Sequence, residues 1–136
     1  MKEDHLEGLK TIASSFSPKE TMERLESEIS AKGMKVFARI DHAAGAAEAG
    51  LYLRPTDLII FGNARAGTPL MQASQVVGID LPLKALVWQD EAGKTWLSYY
   101  EPNWIIERHG LAIEAEVIDK MTVALSAVSI KATNPQ

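Results

Sequence analysis

The chain has 136 residues, 46% of them hydrophobic, and a formal net charge of −4 with a sequence pI of about 5.4. This size and composition fit one globular domain with its own core. The acidic balance and the lack of a basic run exclude a general affinity for nucleic acid. A chain without cysteine forms neither disulfides nor cysteine-based zinc sites. The charged N-terminal segment is unlike a signal peptide, and no stretch of about eighteen apolar residues occurs. We therefore predict a soluble, cytoplasmic protein with no membrane partner.

The first fifty residues predict a strand, a helix, a second strand and a short helix. The first strand is expected over residues 8–15. The helix over 18–32 has Ser17 as its N-cap and a glycine directly after it, and its apolar residues recur three and four positions apart. Residues 34–41 alternate between apolar and polar, which predicts a strand with one buried face, made of Met34, Val36, Ala38 and Ile40. The small side chains of 42–50 favour a short helix lying close to the sheet.

The middle of the chain predicts a central strand followed by a loop and a helix. An unbroken apolar run over residues 58–61 indicates a strand that is covered on both faces, and therefore one that is central in the sheet or close to a dimer contact. A loop bounded by two glycines follows it. Thr68 is then suited to the N-cap position and Pro69 to the first helical position, so a helix is predicted from there to Val77.

The last third of the chain predicts a hairpin and two helices. Residues 83–89 and 95–100 read as antiparallel strands joined by a short turn that contains a glycine. A short helix over 102–109 and a long helix over 111–131 follow. The predicted order is β-α-β-β-β-β-α with short inserted helices. Without a linker or repeat, this order indicates a single α+β domain over residues 1–136, a mostly antiparallel sheet backed by helices.

Five segments in a fixed order resemble the bacterial and archaeal family known as domain of unknown function 302. The resemblance spans about residues 8–130 and rests on FARIDHAAGA, PTDLIIFGN, GTPLM, GIDLPLK and the pair YYEP and ERHG. It implies an α+β domain of the TATA-box-binding-protein-like fold class, commonly a homodimer, with no established activity or cofactor. DNA binding does not follow from such a fold class, because function resides in sites and not in folds.

The loop after the central strand is the first candidate site. A glycine-rich turn that opens onto a helix N-terminus presents free N–H groups to an anion, and the candidate ligand-binding residues are Asn63, Arg65, Gly67, Thr68 and Lys84. The spacing is similar to that of a phosphate-binding loop, but the lysine of that motif is missing. Lys84 either points into the cleft or extends its charged end to solvent. The structural alternative is a capped turn, in which the glycines supply backbone angles, Thr68 caps the helix and Pro69 suits its first position.

The second candidate is an acid/base group made of His42 with Asp41 or Asp80. A histidine beside a carboxylate can act as a general base near neutral pH. The structural alternative is that Asp41 caps the following helix and that Asp80 is a turn residue bonded to its own backbone. No metal site is predicted, because His42, His109, Glu48 and Asp57 lack a metal-binding spacing.

These residues support two functional hypotheses from different classes. The preferred one is a homodimeric module that binds a small anionic ligand or assembles with a partner, with no cofactor. The alternative is a small-molecule enzyme that uses His42 as general acid/base with Asp41 or Asp80. A domain that only dimerises or supports other domains is a third possibility.

Overall fold

The computed structural model describes residues 6–135 and shows one sheet flanked by helices. Five strands and five α-helices follow each other along the chain. In order they are β1 (Leu9–Ser14), α1 (Pro18–Ala31), β2 (Lys35–Asp41), α2 (His42–Glu48), β3 (Thr56–Gly62), α3 (Ala64–Ala73), a 3-10 helix (Gln75–Ile79), β4 (Leu83–Gln89), β5 (Thr95–Tyr100), α4 (Pro102–Arg108) and α5 (Ala115–Thr133).

The sheet has the order β1-β5-β4-β3-β2, and every neighbouring pair of strands is antiparallel. Helices α1 and α5 pack against each other and against the same side of the sheet. The α+β class with an antiparallel sheet and inserted helices is therefore confirmed. Membership of the TATA-box-binding-protein-like class remains a prediction.

The core lies between these two helices and the sheet. The predicted stripe of α1 is confirmed, since Met22, Leu25 and Ile29 are fully buried. Ser17 accepts a hydrogen bond from the Glu20 N–H at 3.1 Å and starts this helix as predicted. The strands and α5 contribute Ile59, Phe61, Leu83, Ala85, Val87, Leu97, Tyr99, Met121, Leu125, Val128 and Ala132.

Within residues 6–135, neither α1 nor α5 covers the other side of the sheet, which we call the open sheet face. At its edge, the Trp104 ring of α4 stacks on Tyr100 with the ring centroids 4.7 Å apart. The strand residues of the open sheet face, assigned from the register, are Leu9, Thr11, Ala13, Ala38, Ile40, Thr56, Leu58, Ile60, Lys84, Leu86, Trp88, Trp96, Ser98 and Tyr100. The prediction that β3 is covered on both faces is therefore wrong for the protomer. Ile59 and Phe61 are fully buried, whereas Leu58 and Ile60 are only partly buried.

The single buried face predicted for β2 is also wrong. A β-bulge at Phe37 shifts the register, so that Val36 pairs with Phe61 while Arg39 pairs with Ile59. Because the side-chain period of a strand is two, the extra residue reverses which residues face the helices. Arg39 therefore reaches the covered side, where its guanidinium contacts Asp57 at 2.5 Å, and Ile40 lies on the open sheet face, 41% exposed.

The helix after β3 begins earlier than predicted. Asn63, not Thr68, is the N-cap of α3, and its side-chain oxygen accepts a hydrogen bond from the Arg65 N–H at 2.8 Å. Pro69 consequently lies inside the helix, and the stretch predicted as one helix to Val77 is divided into α3 and the 3-10 helix. The final helix starts at Ala115 and not at residue 111. The cap signal at Ser17 therefore marked a helix start correctly, whereas the signal at Thr68 did not, because Asn63 caps the helix five residues earlier.

Candidate functional site

A cavity of about 670 Å³ opens where β3 ends and β4 begins, between α3 and the first half of α5. We call it the basic cavity because three of its side chains are cationic and none is acidic among the described residues that line it. The lining residues are Lys32, Met34, Phe37, Gly62, Asn63, Ala64, Arg65, Ala66, Gly67, Thr68, Met71, Leu81, Pro82, Leu83, Val117, Lys120, Met121 and Ala124.

Four of the five predicted ligand-binding residues line this cavity. Asn63, Arg65, Gly67 and Thr68 all belong to its wall, since the chain enters α3 there. Lys84 does not. Its partner across the ladder is Ile60, and it lines a different cavity on the open sheet face. The prediction that Lys84 lies near the loop is therefore wrong. Leu83 lines the basic cavity, and the next residue of a strand points to the opposite side of the sheet.

The backbone N–H groups of the loop were expected to be free to bind an anion, but three of them form hydrogen bonds within the protein. The Arg65 N–H is bonded to the Asn63 side chain, and the N–H groups of Ala66 and Gly67 donate to the Asn63 carbonyl at 3.0 and 2.9 Å. These groups are therefore engaged in capping and starting α3. A capped turn is present, but Asn63 provides the cap and not Thr68 as the capped-turn alternative held, and the positive charge of the cavity comes from side chains.

The three cations of the basic cavity belong to three different elements. Lys32 is the C-cap residue of α1, Arg65 lies in the first turn of α3, and Lys120 projects from α5. All three are solvent-exposed. The chain as a whole has a net charge of −4, so the positive charge at this cavity is local. A concave site lined by one sign of charge attracts ligands of the opposite sign.

Lys32 and Lys120 were not identified from the sequence. Lys120 is separated from Arg65 by 55 positions, as the residue numbers show, and it lies on a charged turn of an amphipathic helix that looks like ordinary solvated surface. Lys32 follows the α1 helix, where a basic residue commonly interacts with the helix C-terminus. Only the packing of α5 across the sheet brings these residues to one cavity.

The proposed acid/base pair of His42 and Asp80 is wrong. Asp41 and His42 lie beside Asp57 at one end of β3, whereas Asp80 precedes β4, whose first residues pair with the opposite end of β3. About four residues of strand, roughly 13 Å, separate the two ends. Asp41 accepts a hydrogen bond from the Ala44 N–H at 2.9 Å, which is the capping role considered as its alternative.

Asp80 instead contacts His109, a pairing that the sequence did not suggest. The His109 Nε2 and Asp80 Oδ2 atoms are 2.5 Å apart, and the Arg108 guanidinium lies 3.8 Å from the other carboxylate oxygen. This contact connects the turn after the 3-10 helix to the end of α4. Neither Asp80 nor His109 lines the basic cavity or the cavity on the open sheet face.

Residues 6–135 contain neither a candidate metal site nor a candidate membrane span. In that part of the chain, no group of three or more His, Cys, Asp or Glu side chains could hold a metal ion. Within the same range, no helix has the length and apolar character needed to cross a bilayer.

The open sheet face holds a second cavity, of about 570 Å³. Leu58, Leu86 and Trp88 form its floor, and Leu53 and Arg54 from the segment after α2 close one side. Ser98 is buried there and bonds to two neighbours, the Trp88 indole N–H at 2.9 Å and the Thr11 hydroxyl at 2.8 Å. The polar groups of this floor are thus satisfied within the protomer.

The fold and the cavities define a class: an α+β domain with helices on one face of an antiparallel sheet and a cationic cavity at the sheet end. The chain belongs to the family described as domain of unknown function DUF302, whose model matches residues 10–128. The crystal structure of an uncharacterized conserved DUF302 protein from Bacillus stearothermophilus has the same fold, with a TM-score of 0.83 and 22% sequence identity over 93% of this chain and 99% of that one.

Curated relatives from Brucella species share more sequence but are longer. Proteins named fluoride-specific ion channel FluC 1, from Brucella suis and Brucella abortus, are 49% identical over 116 residues. The match covers 85% of this chain but 46% and 43% of those two proteins. The chain therefore spans less than half the length of the curated relatives that it matches.

Proposed function

We propose that this DUF302 domain is a homodimeric binding module that holds a small anionic ligand in the basic cavity. The observation that carries the proposal is the meeting of Lys32, Arg65 and Lys120 around one concave site that has no acidic lining residue within the described chain. Its volume of about 670 Å³ lies within the range of about 300–1,000 Å³ that is common for small-molecule sites.

The division of labour in this site follows from the structure of α3. Asn63 caps α3 by accepting a hydrogen bond from the Arg65 N–H, so its side-chain oxygen is already engaged within the protein. The Arg65 guanidinium supplies a planar donor that suits carboxylate and phosphate oxygens, while Lys32 and Lys120 act as more mobile positive charges. Thr68 adds a hydroxyl one turn further along α3.

The charge requirement is tested with three single variants and one matched control. Lys32→Gln, Arg65→Gln and Lys120→Gln should each weaken binding of inorganic phosphate and of acetate, measured by NMR titration of the backbone amides of α3. Lys84→Gln removes the same charge from the open sheet face and should leave the titration unchanged. Equal effects of all four variants, or no site-specific amide shifts at all, would contradict the proposal.

The open sheet face supports the dimer part of the proposal. It combines partly exposed strand residues with the strongly exposed segment after α2, where Leu51 is 68% and Tyr52 is 84% exposed. Helix α2 itself has no buried residue. Exposed apolar surface is typical of interaction sites, and pairing two copies through the open sheet face would leave the basic cavity at the sheet end accessible.

Sedimentation equilibrium tests the dimer and its location. The protein should sediment as a dimer, and Leu58→Glu should shift it to a monomer while circular dichroism shows that the fold is kept. Val123→Glu, an equally drastic change at a 67% exposed position of α5, is the control and should remain a dimer. A monomeric wild-type protein at high concentration would refute this part.

The names of the Brucella relatives favour a second candidate function, an accessory domain of an anion channel. Those proteins are named as fluoride channels, and more than half of their length lies outside the match. We propose that the domain lies outside the membrane in such longer proteins and that its cavity senses the transported anion. Fluoride should then compete with acetate in the titration above; a cavity indifferent to millimolar fluoride would remove this candidate.

A further inference from the structure

The interior of the basic cavity is apolar, which a small inorganic anion would leave unused. Behind the three exposed cations, the wall consists of aliphatic, aromatic and thioether side chains from four elements. Phe37, Met34, Met71 and Met121 are the largest of them. An isolated inorganic anion would occupy only the charged rim and leave this apolar wall in contact with water.

The methionines are concentrated in this cavity. The chain has five methionines, and four of them lie within residues 6–135. Three of these four line the cavity, and they come from the segment before β2, from α3 and from α5. Met22, in contrast, is fully buried in the core. Unbranched thioether side chains adapt to ligands of different shape, and for that reason they recur at apolar binding surfaces.

Two backbone features increase the apolar space. The β-bulge in β2 turns Phe37 away from the regular ladder, and its ring lies 3.9 Å from the Cβ position of Gly62 at the cavity wall, while it remains 48% exposed. Bulges commonly redirect a side chain next to a functional site. Gly67 lies inside α3, where alanine would be more favourable by about 1 kcal/mol.

An alanine at position 67 would fit, since its Cβ would make only ordinary contacts, 3.9 Å from Met71 and 4.0 Å from Leu81. Backbone conformation does not require this glycine either, because Gly67 is absent from the described glycines with a positive φ angle. The absence of a side chain at Gly67 therefore leaves space in the cavity beside Met71 and Leu81.

We propose that the ligand of the basic cavity is an amphipathic anion, with one acidic head group at Lys32, Arg65 and Lys120 and a single apolar chain against the methionines and Phe37. This inference rests on the proposed anion-binding function and names its ligand class. A carboxylate and a phosphate monoester head would meet the same three cations, so alkyl carboxylates and alkyl phosphates share the required chemistry.

The first experiment uses the methionines as reporters. With methyl-13C-methionine in the full chain, octanoate should shift the methyl resonances of Met34, Met71 and Met121 in a saturable way and leave that of Met22 unchanged. Assignments come from single Met→Leu variants, which conserve volume. Shifts of all four resonances together would mean general loosening of the core, and no saturable shift would mean no site; either result overturns the proposal.

The second experiment separates the head group from the chain by comparing five probes in the same titration. Octanoate or octyl phosphate should bind at least tenfold more tightly than acetate and inorganic phosphate, because each buried methylene adds to the affinity, and more tightly than 1-octanol. The stronger of the two octyl anions identifies the head group. Acetate binding as tightly as octanoate would overturn this inference and leave the anion-binding function intact, whereas equal binding of 1-octanol would overturn both.

A pair of glycine variants tests the location. Gly67→Leu places a side chain in the cavity and should reduce octanoate affinity at least tenfold. Gly45→Leu makes the same change at a helical glycine of α2 that has nothing within 4 Å of its Cβ position, and it should have no effect. Circular dichroism of both variants checks folding. Unchanged octanoate affinity in a folded Gly67→Leu protein would overturn the assignment to this cavity.

Discussion

The basic cavity and the cavity on the open sheet face are similar in size, but they differ in charge and in the elements that form them. The basic cavity has about 670 Å³, and the charged residues that line it within residues 6–135 are all cations. The cavity on the open sheet face has about 570 Å³ and is lined by charges of both signs, Arg54, Lys84, Asp90 and Glu91. The open sheet face is built mainly from alternate residues of one sheet. The basic cavity needs α1, α3, α5 and two strand ends.

The difference in charge suits different partners. A rim of both signs around an apolar floor resembles the surface of a protein interface, where charges on the partner fix the orientation. A rim of one sign around an apolar interior suits a ligand with one opposite charge and an apolar body. The same sheet thus offers a surface for another protein on one side and a ligand cavity at its end.

The largest expected effect compares neighbouring residues of β3. Ile59→Ala removes a fully buried side chain from the helix-covered face and should lower the free energy of unfolding by about 2–5 kcal/mol. Ile60→Ala makes the same change on the open sheet face and should cost less than half as much at low protein concentration. Urea unfolding at several concentrations measures both.

The same pair of variants tests the dimer independently. If two copies associate through the open sheet face, the cost of Ile60→Ala should grow with protein concentration, because association stabilises only the folded form. The cost of Ile59→Ala should stay constant. If the cost of Ile60→Ala is the same at every protein concentration, the open sheet face does not form a dimer interface.

The next effect concerns Asp90, which organises the β4–β5 turn beside the open sheet face. The hydrogen bond from the Trp96 indole, at 2.9 Å, together with those from the N–H groups of Lys94 and Ala92, holds the pKa of Asp90 below its usual value. Since the folded-state pKa is depressed, this stabilisation is present above the unfolded-state pKa of about 3.9 and is lost as the pH falls through the folded-state value.

Asp90→Asn should therefore lower the stability at pH 7 and reduce its decrease on acidification below about pH 4. The asparagine oxygen can still accept from the backbone, but its amide group faces the Trp96 N–H donor. Urea unfolding at pH 7 and pH 3, with Glu91→Gln on the exposed part of the same turn as control, measures the effect. A pH dependence identical to that of the wild type would contradict the assignment.

A smaller effect separates capping from binding at the start of α3. Asn63→Ala removes the cap of that helix and should cost about 1 kcal/mol of stability, with octanoate affinity changed less than twofold. Arg65→Gln should do the reverse, with stability within about 0.5 kcal/mol of the wild type and markedly weaker binding. Thermal unfolding with and without octanoate measures both quantities. Loss of binding in Asn63→Ala alone would identify the amide as a ligand group.

The smallest expected effect is a gain. Gly67→Ala should raise the free energy of unfolding by up to about 1 kcal/mol, because alanine favours the helix and its Cβ meets only ordinary contacts. Octanoate affinity should fall modestly, since one methyl group enters the cavity wall. Destabilisation by this substitution would show that α3 needs the glycine for packing.

The sequence by itself determined the elements and their class. Caps and periodicity are local, so Ser17, the stripe of α1 and the hairpin of β4 and β5 could be predicted from neighbouring residues. Four of the five candidate ligand-binding residues, Asn63, Arg65, Gly67 and Thr68, also line the basic cavity. The predicted start of α3 at Thr68 is wrong because Asn63, which is also a good N-cap residue, lies five positions earlier and caps the helix.

Only the tertiary structure decided which side chains meet. The bulge at Phe37 reversed the faces of β2, and ladder register placed Lys84 on the side away from the loop. Packing of α5 brought Lys120 to Arg65, and packing of α4 brought His109 to Asp80. These contacts join residues far apart in the chain, and their geometry depends on how whole elements pack, which no short sequence window records.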